Sequence, residues 1–193
     1  MDPLSPTVID ADALNILAAQ PGILAELAKG RTLVLTPHPG EMARLAGITT
    51  AEVQTNRLEV ARSFAERYGV TLVLKGARTL VAHPDGRVAV NTSGNPGMAK
   101  GGSGDLLTGL IAGLMAQHPA KMAEAVEAAV YLHGLAADLA VRQADEHTLL
   151  ATDSLTHLSQ AFRFHTGGQN GYLWLQGLPT KIPSDAVFHE GVQ

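Results

Sequence analysis

Apolar residues come in two kinds of run along this chain. Short continuous runs bounded by glycine or proline sit at residues 32–36 (TLVLT) and 70–75 (VTLVLK), with a weaker one at 7–10 (TVID). Strands that are apolar throughout, rather than at alternate positions, mark a parallel sheet covered on both faces. Between them the spacing turns helical. Residues 13–19 form one such stretch, which stops before Pro21-Gly22. Thr49-x-x-Glu52 is a capping-box signal that opens a helix to about Tyr68, closed by Gly69. Residues 79–83 and 87–91 flank Pro84-Asp85-Gly86, a hairpin turn that interrupts the strand–helix rhythm. Three further helices are predicted at about 105–116, 120–143 and 153–162. In the second, Val126, Val130, His133, Ala137 and Val141 share one face at a 3.6-residue period. The alternation predicts one α/β domain over residues 1–164. From about His165 no period survives, and 165–193 is expected to be an irregular tail.

Composition narrows the function classes. With 193 residues, 46% of them hydrophobic, the chain can bury one sizeable core. A net charge of −4 offers no global field to gather nucleic acid, though a small anion needs only a local positive site. The absence of cysteine excludes disulfides and thiolate metal centres. No apolar run approaches the roughly 20 residues that span a bilayer. The start, MDPLSPTVID, lacks the basic and apolar regions of a signal peptide, so a cytoplasmic location is expected.

Four segments carry chemistry. The strongest is 91–109, NTSGNPGMAKGGSGDLLTG. Its glycines let backbone amides converge and a ligand approach, and the loop empties into a helix start, where the dipole favours anions. Gly101, Gly102, Ser103 and Gly104 thus read as an oxyanion or phosphate cradle, with Asp105 beside it as a proton acceptor. An acidic residue there can also be a mere dipole partner. The segment is neither a G-K-[ST] phosphate loop nor a GxGxxG fingerprint. Thr36-Pro37-His38-Pro39-Gly40-Glu41 follows a buried strand, where open α/β sheets bind ligands, and its prolines would hold His38 and Glu41 in place. A plain surface turn, with Glu41 in the first turn of a helix, is the competing reading. Lys75, Gly76, Ala77, Arg78 and Thr79 end another strand, where Lys75 could neutralise phosphate or simply be solvated. Asp10 or Asp12 could cap a helix, or organise a magnesium ion carried with a nucleotide. His133, on an apolar face, reads as a core histidine.

Taken in order, DADALN, TPHPGE, LKGARTLVAHPDGRVAVN and TSGNPGMAKGGSGDLLTGLIAGL resemble the NAD(P)H-hydrate dehydratase family of the ribokinase-like superfamily. The resemblance runs from about Thr7 to about Ser159 and includes HGLAADLA and LLATD. It implies a mainly parallel sheet with helices on both faces, in three layers. It also implies an enzyme that uses ADP or ATP, with Mg2+, to drive loss of water from hydrated NADH or NADPH. By position, Asp105 would be base and substrate contact and Gly104 would touch the nucleotide, with Gly101, Gly102 and Ser103 completing the anion hole. Lys75, Gly76, Ala77, Arg78 and Thr79 would hold the adenine nucleotide, and His38 the hydrated dinucleotide. A homo-oligomer is implied as well. Two departures stand out. Family members carry a further segment with its own glycine-rich loop before DADALN, whereas only Met1–Pro6 precede the first strand here, so unpaired sheet edges are expected. Lys100 stands where a small polar residue is expected. Two other functions fit the same residues: a small-molecule kinase resembling the hydroxyethylthiazole kinases, and a nucleotide-binding remnant without activity.

Overall fold

The computed structural model describes residues 5–164, so the predicted tail lies outside the described residues. Strands β1 (Thr7–Ile9), β2 (Leu33–Leu35), β3 (Thr71–Leu74), β4 (Leu80–Ala82) and β5 (Val88–Val90) form one sheet in sequence order. β1, β2 and β3 run parallel, with Thr7 beside Leu33 and Val34 beside Thr71. β4 and β5 return antiparallel around the Pro84-Asp85-Gly86 turn, which makes the sheet mixed. Both long apolar runs of the sequence are fully buried strands, and among the described residues β1 has a neighbour on one side only.

The two-residue period of a strand sorts the core into two halves. Leu33, Leu35, Leu72, Leu74 and Leu80 point to one face. There they meet α1 (Asp12–Ala19), α2 (Pro21–Ala28), α3 (Pro39–Ala46), α4 (Thr50–Thr55) and α5 (Arg57–Tyr68) through Leu14, Leu24, Met42, Val53 and Phe64. Val34, Val73 and Val81 point to the other face. That face is covered by α6 (Ser103–Gln117), α7 (Met122–Val141) and α8 (Ala151–Phe164) through Leu107, Ile111, Val126, Leu132 and Ala161. Leucine faces one layer and valine the other, giving the three-layer α/β/α arrangement.

Element boundaries depart from the sequence reading in two places. The helix expected from Thr49 to Tyr68 breaks at Asn56, whose φ of −123° and ψ of 37° leave the helical region, although Thr49 and Glu52 form the predicted capping box. Pro21 opens α2 as its first residue instead of ending the chain's helical run. α3 arises because His38 and Glu41 cap it reciprocally. No helix among the described residues is long and apolar enough to cross a membrane.

Candidate functional site

The parallel strands β1, β2 and β3 deliver Asp10, Thr36 and Lys75 to one end of the sheet. Backbone bonds extend the ladder into those residues: Thr36 N–H donates to Ile9 at 3.2 Å, and Lys75 N–H donates to Pro37 at 2.9 Å. The Lys75 ammonium donates to Asp10 Oδ1 at 2.8 Å and lies 3.9 Å from Glu41 Oε2. Asp10 Oδ2 accepts from the Thr108 hydroxyl of α6 at 3.0 Å. A Cβ on Gly104 would lie 3.5 Å from Lys75 Nζ and 3.7 Å from Asp10 Oδ2, so the α6 N-terminus rests directly against this pair.

That helix start leaves the amides of Gly104 and Asp105 available, while the Ser103 amide donates to the Lys100 carbonyl at 3.4 Å. Gly102 is its N-cap at φ 87°, a left-handed conformation that glycine adopts without strain, and no side chain caps the helix. The first-turn amides of an α-helix have no intrahelical acceptor, and the dipole adds partial positive charge. Asp105 is exposed on this turn. Behind it, Ser103 Oγ lies 3.5 Å from Nε2 of His133. Burial pushes the His133 imidazole down to about 4, so it is neutral near pH 7.

The glycine-rich approach to the cradle is docked on α7. Gly94 N–H donates to Asp138 Oδ2 at 2.8 Å, Asn95 Nδ2 to Asp138 Oδ1 at 2.9 Å, and Ser93 Oγ to the Tyr131 carbonyl at 2.7 Å. Gly134 permits this contact. A Cβ there would collide with Ser93 Oγ and lie 2.7 Å from the Ser93 carbonyl carbon. The HGLAADLA stretch therefore presents Gly134 and Asp138, one helical turn apart, to the loop.

His38 faces outward from the next loop. Its Nδ1 accepts the amides of Gly40 at 3.0 Å and Glu41 at 3.3 Å. With Nδ1 accepting, Nε2 carries the ring proton and lies 3.4 Å from Glu41 Oε1, on a side chain 52% exposed. Glu41 is nearly buried and accepts the His38 amide at 2.7 Å. The 75–79 loop is braced from below by Arg57, whose guanidinium donates to the Leu74 carbonyl at 3.2 Å. Gly76 adopts φ 135° over that guanidinium, and Thr79 Oγ closes the turn on the Gly76 carbonyl at 3.0 Å.

The predicted site residues thus fall into three groups. Lys75, Gly104, Ser103 and Asp105 converge at one helix start, with Gly101 and Gly102 leading into it. Gly76, Ala77, Arg78 and Thr79 form the adjoining turn, in which Arg78 adopts φ 57° and reaches toward the Thr92 carbonyl. His38 joins them through Glu41 rather than by direct contact. Lys100 is no part of the cradle: its ammonium donates to the His147 carbonyl at 2.5 Å. Asp10 does not cap α1, whose N-cap is Ala11 without a side-chain bond. Among the described residues no three His, Asp or Glu side chains gather as a metal cluster.

A three-layer α/β/α fold with a glycine-started helix and a lysine at the strand ends defines a ribokinase-like protein. A ribokinase-like protein of Enterococcus faecalis superposes with a TM-score of 0.65 at 31% identity, over 81% of this chain and 52% of that one. Residues 1–161 match the family described as NAD(P)H-hydrate dehydratase, and the chain belongs to that family. It is 51% identical over 158 residues to the bifunctional NAD(P)H-hydrate repair enzyme of Moorella thermoacetica, covering 82% of this chain and 29% of the relative. It is 50% identical over 135 residues to the ADP-dependent (S)-NAD(P)H-hydrate dehydratase of Neisseria meningitidis, covering 69% and 45%. The ADP/ATP-dependent NAD(P)H-hydrate dehydratase of Bacillus subtilis, co-crystallised with ATP/Mg2+, superposes with a TM-score of 0.72 at 38% identity, over 82% of this chain and 55% of that one. The chain thus spans between about a third and a half of the length of these relatives.

Proposed function

We propose that this chain carries the nucleotide-handling half of a dehydratase that uses ADP or ATP to drive water out of hydrated NADH or NADPH. The observation that carries this reading is the seating of Lys75 against Gly104, at a helix start whose exposed first-turn carboxylate is Asp105. Lys75 to Thr79 would hold the adenine nucleotide. The amides of Gly101 to Gly104 would receive the transferring phosphoryl group, and His38 Nε2 would donate to the hydrated dinucleotide.

The chemistry follows from hydroxide being a poor leaving group. Asp105 would take the proton of the ring hydroxyl as its oxygen attacks the terminal phosphorus of the nucleotide, whose bridging P–O bond breaks. The ring carbon–oxygen bond then breaks with its electron pair leaving on phosphate. A proton lost from the neighbouring ring carbon restores the double bond. Hydrate and ATP become NADH, ADP, phosphate and a proton. The helix-terminal amides act on charge that grows in the transition state, where preorganised donors act most strongly.

A magnesium ion fits this site as a companion of the nucleotide. No resident metal cluster is found among the described residues, and both oxygens of Asp10 are engaged by Lys75 and Thr108. Magnesium is typically held by one or two carboxylates and the phosphates themselves, and here the nucleotide phosphates would bring the ion with them, leaving Asp105 to act as the base. The ion would neutralise phosphate charge.

The test incubates the chain with hydrated NADH, Mg2+ and ADP or ATP, following return of the reduced-nicotinamide absorbance and release of phosphate. Nucleotide-dependent recovery with stoichiometric phosphate, lost in Asp105→Asn, is the expected result. A stable phosphorylated product without recovered cofactor would instead make the chain a small-molecule kinase.

A further inference from the structure

We propose that Asp10 is a positioning residue of this site, tying the Lys75 ammonium to the first turns of α6 so that the nucleotide-holding cation and the anion-binding amides are set against each other. The proposal rests on the reading of Lys75 and the α6 cradle given above. The Asp10 side chain is 11% exposed and joins three distant parts of the chain. Oδ1 accepts from Lys75, 65 residues away, at 2.8 Å, and Oδ2 accepts from Thr108, 98 residues away, at 3.0 Å. Gly104 lies over both ends of the ion pair.

Helix capping does not account for this placement, because the N-cap of α1 is Ala11 and no side chain caps the helix. Ala11 adopts φ 53° and ψ −125°, a left-handed conformation costly for any residue with a Cβ. Backbone strain is held at the residue that follows Asp10, and the turn it forms carries the carboxylate to the cradle. Burial alone would raise the Asp10 carboxyl, but hydrogen bonds from Lys75 and Thr36 and the Lys75 charge outweigh it and keep the group ionised below its ordinary range. The ammonium therefore faces two carboxylates, Asp10 in contact and Glu41 at 3.9 Å, and Asp10 sets its direction. Without that contact, Lys75 is free to fold toward Glu41 and away from Gly104.

The experiment measures ADP binding by calorimetry and hydrate turnover for the wild type, Asp10→Asn, Lys75→Gln, the double variant and Thr108→Val, each first shown to melt cooperatively. Asp10→Asn keeps the shape and the Thr108 partner but removes the charge. It should weaken ADP roughly ten- to a hundredfold, the range expected for loss of a charge-assisted hydrogen bond, and leave the KM for hydrate unchanged. The double variant should bind ADP no more weakly than Lys75→Gln, because Asp10 acts through Lys75. Thr108→Val, which leaves the ion pair intact, should lower kcat with little change in ADP affinity. Unchanged ADP affinity in Asp10→Asn, or additive losses in the double variant, would overturn the positioning role. If Asp10→Asn fails to melt cooperatively, Thr108→Val decides: normal kcat in that variant overturns the tie to α6. Failure of the wild type to bind ADP would overturn the nucleotide-site reading on which the proposal rests.

Discussion

Gly134 is where the site can be disturbed from behind without touching a proposed ligand contact. In the middle of α7, replacing glycine by alanine should by helix propensity alone stabilise the protein by about 1 kcal/mol. Here the added Cβ would lie 2.7 Å from the Ser93 carbonyl carbon and 2.9 Å from Gly94 N, against ordinary contact from 3.4 Å, a shortfall of about 0.7 Å at the carbon. Both obstacles are backbone, so no rotamer change relieves them. The loop must back away, stretching the bonds from Gly94 and Asn95 to Asp138 that now measure 2.8 and 2.9 Å. Overpacking of this kind costs about 1–3 kcal/mol, and weakening these partly exposed charge-assisted bonds a further ~1 kcal/mol. Gly134→Ala should therefore destabilise by about 2 kcal/mol net, lowering Tm by roughly 4–8 °C for a chain of this size. Gly109→Ala in α6 is the matched control. Nothing lies within 4 Å of its Cβ, and it should raise stability by about 0.5–1 kcal/mol. Thermal and urea unfolding of the two variants side by side give the answer. If Gly134→Ala is as stabilising as Gly109→Ala, the close approach of α7 to the loop is wrong.

His133 makes stability depend on pH. Burial lowers its pKa from 6.5 to about 4, so between those values the unfolded chain binds the proton that the folded chain refuses. The contribution is fully present above pH 6.5 and is lost as pH falls toward 4, reaching about 2 kcal/mol by pH 5. Urea unfolding at pH 7 and pH 5 should show that loss in the wild type and a much smaller one in His133→Gln; equal losses would refute the assignment. His38 combines two roles that substitution can separate. His38→Ala removes the α3 cap and should cost about 1 kcal/mol, with a raised KM for hydrate, whereas His38→Asn, a good capping residue, should restore stability but not KM.

What the sequence made legible was local. The runs at 32–36 and 70–75, the hairpin around Pro84-Asp85-Gly86 and the glycine-rich start of α6 each carry their signal within a few residues. Helix α2 was missed because Pro21-Gly22 resembles a stop, yet proline is equally at home in the first helical turn. The break at Asn56 has no glycine or proline to announce it. Glu41 could be named from the stiff TPHPGE turn, but its nearness to Lys75 could not. The joining of Asp10, Lys75 and Thr108 across 65 and 98 residues is a product of the parallel sheet, which places strand ends together whatever their separation along the chain. Asp138 had a readable sign in the four-residue spacing of HGLAADLA, though its pairing with Gly94 and Asn95 had none.

The ion pair between Asp10 and Lys75 joins β1 to β3, and Thr108 adds the helix on the opposite layer. A ligand seated there would clasp both halves of the core at once. No partly folded form in which one layer has come away from the sheet can retain the complete pocket. Binding would therefore work as a lock on the whole domain: nucleotide at a hundred times its dissociation constant would deepen the native well by about 2.7 kcal/mol, slowing global opening and protease attack together. A cell rich in adenine nucleotide would thus keep this chain folded as a by-product of keeping it occupied.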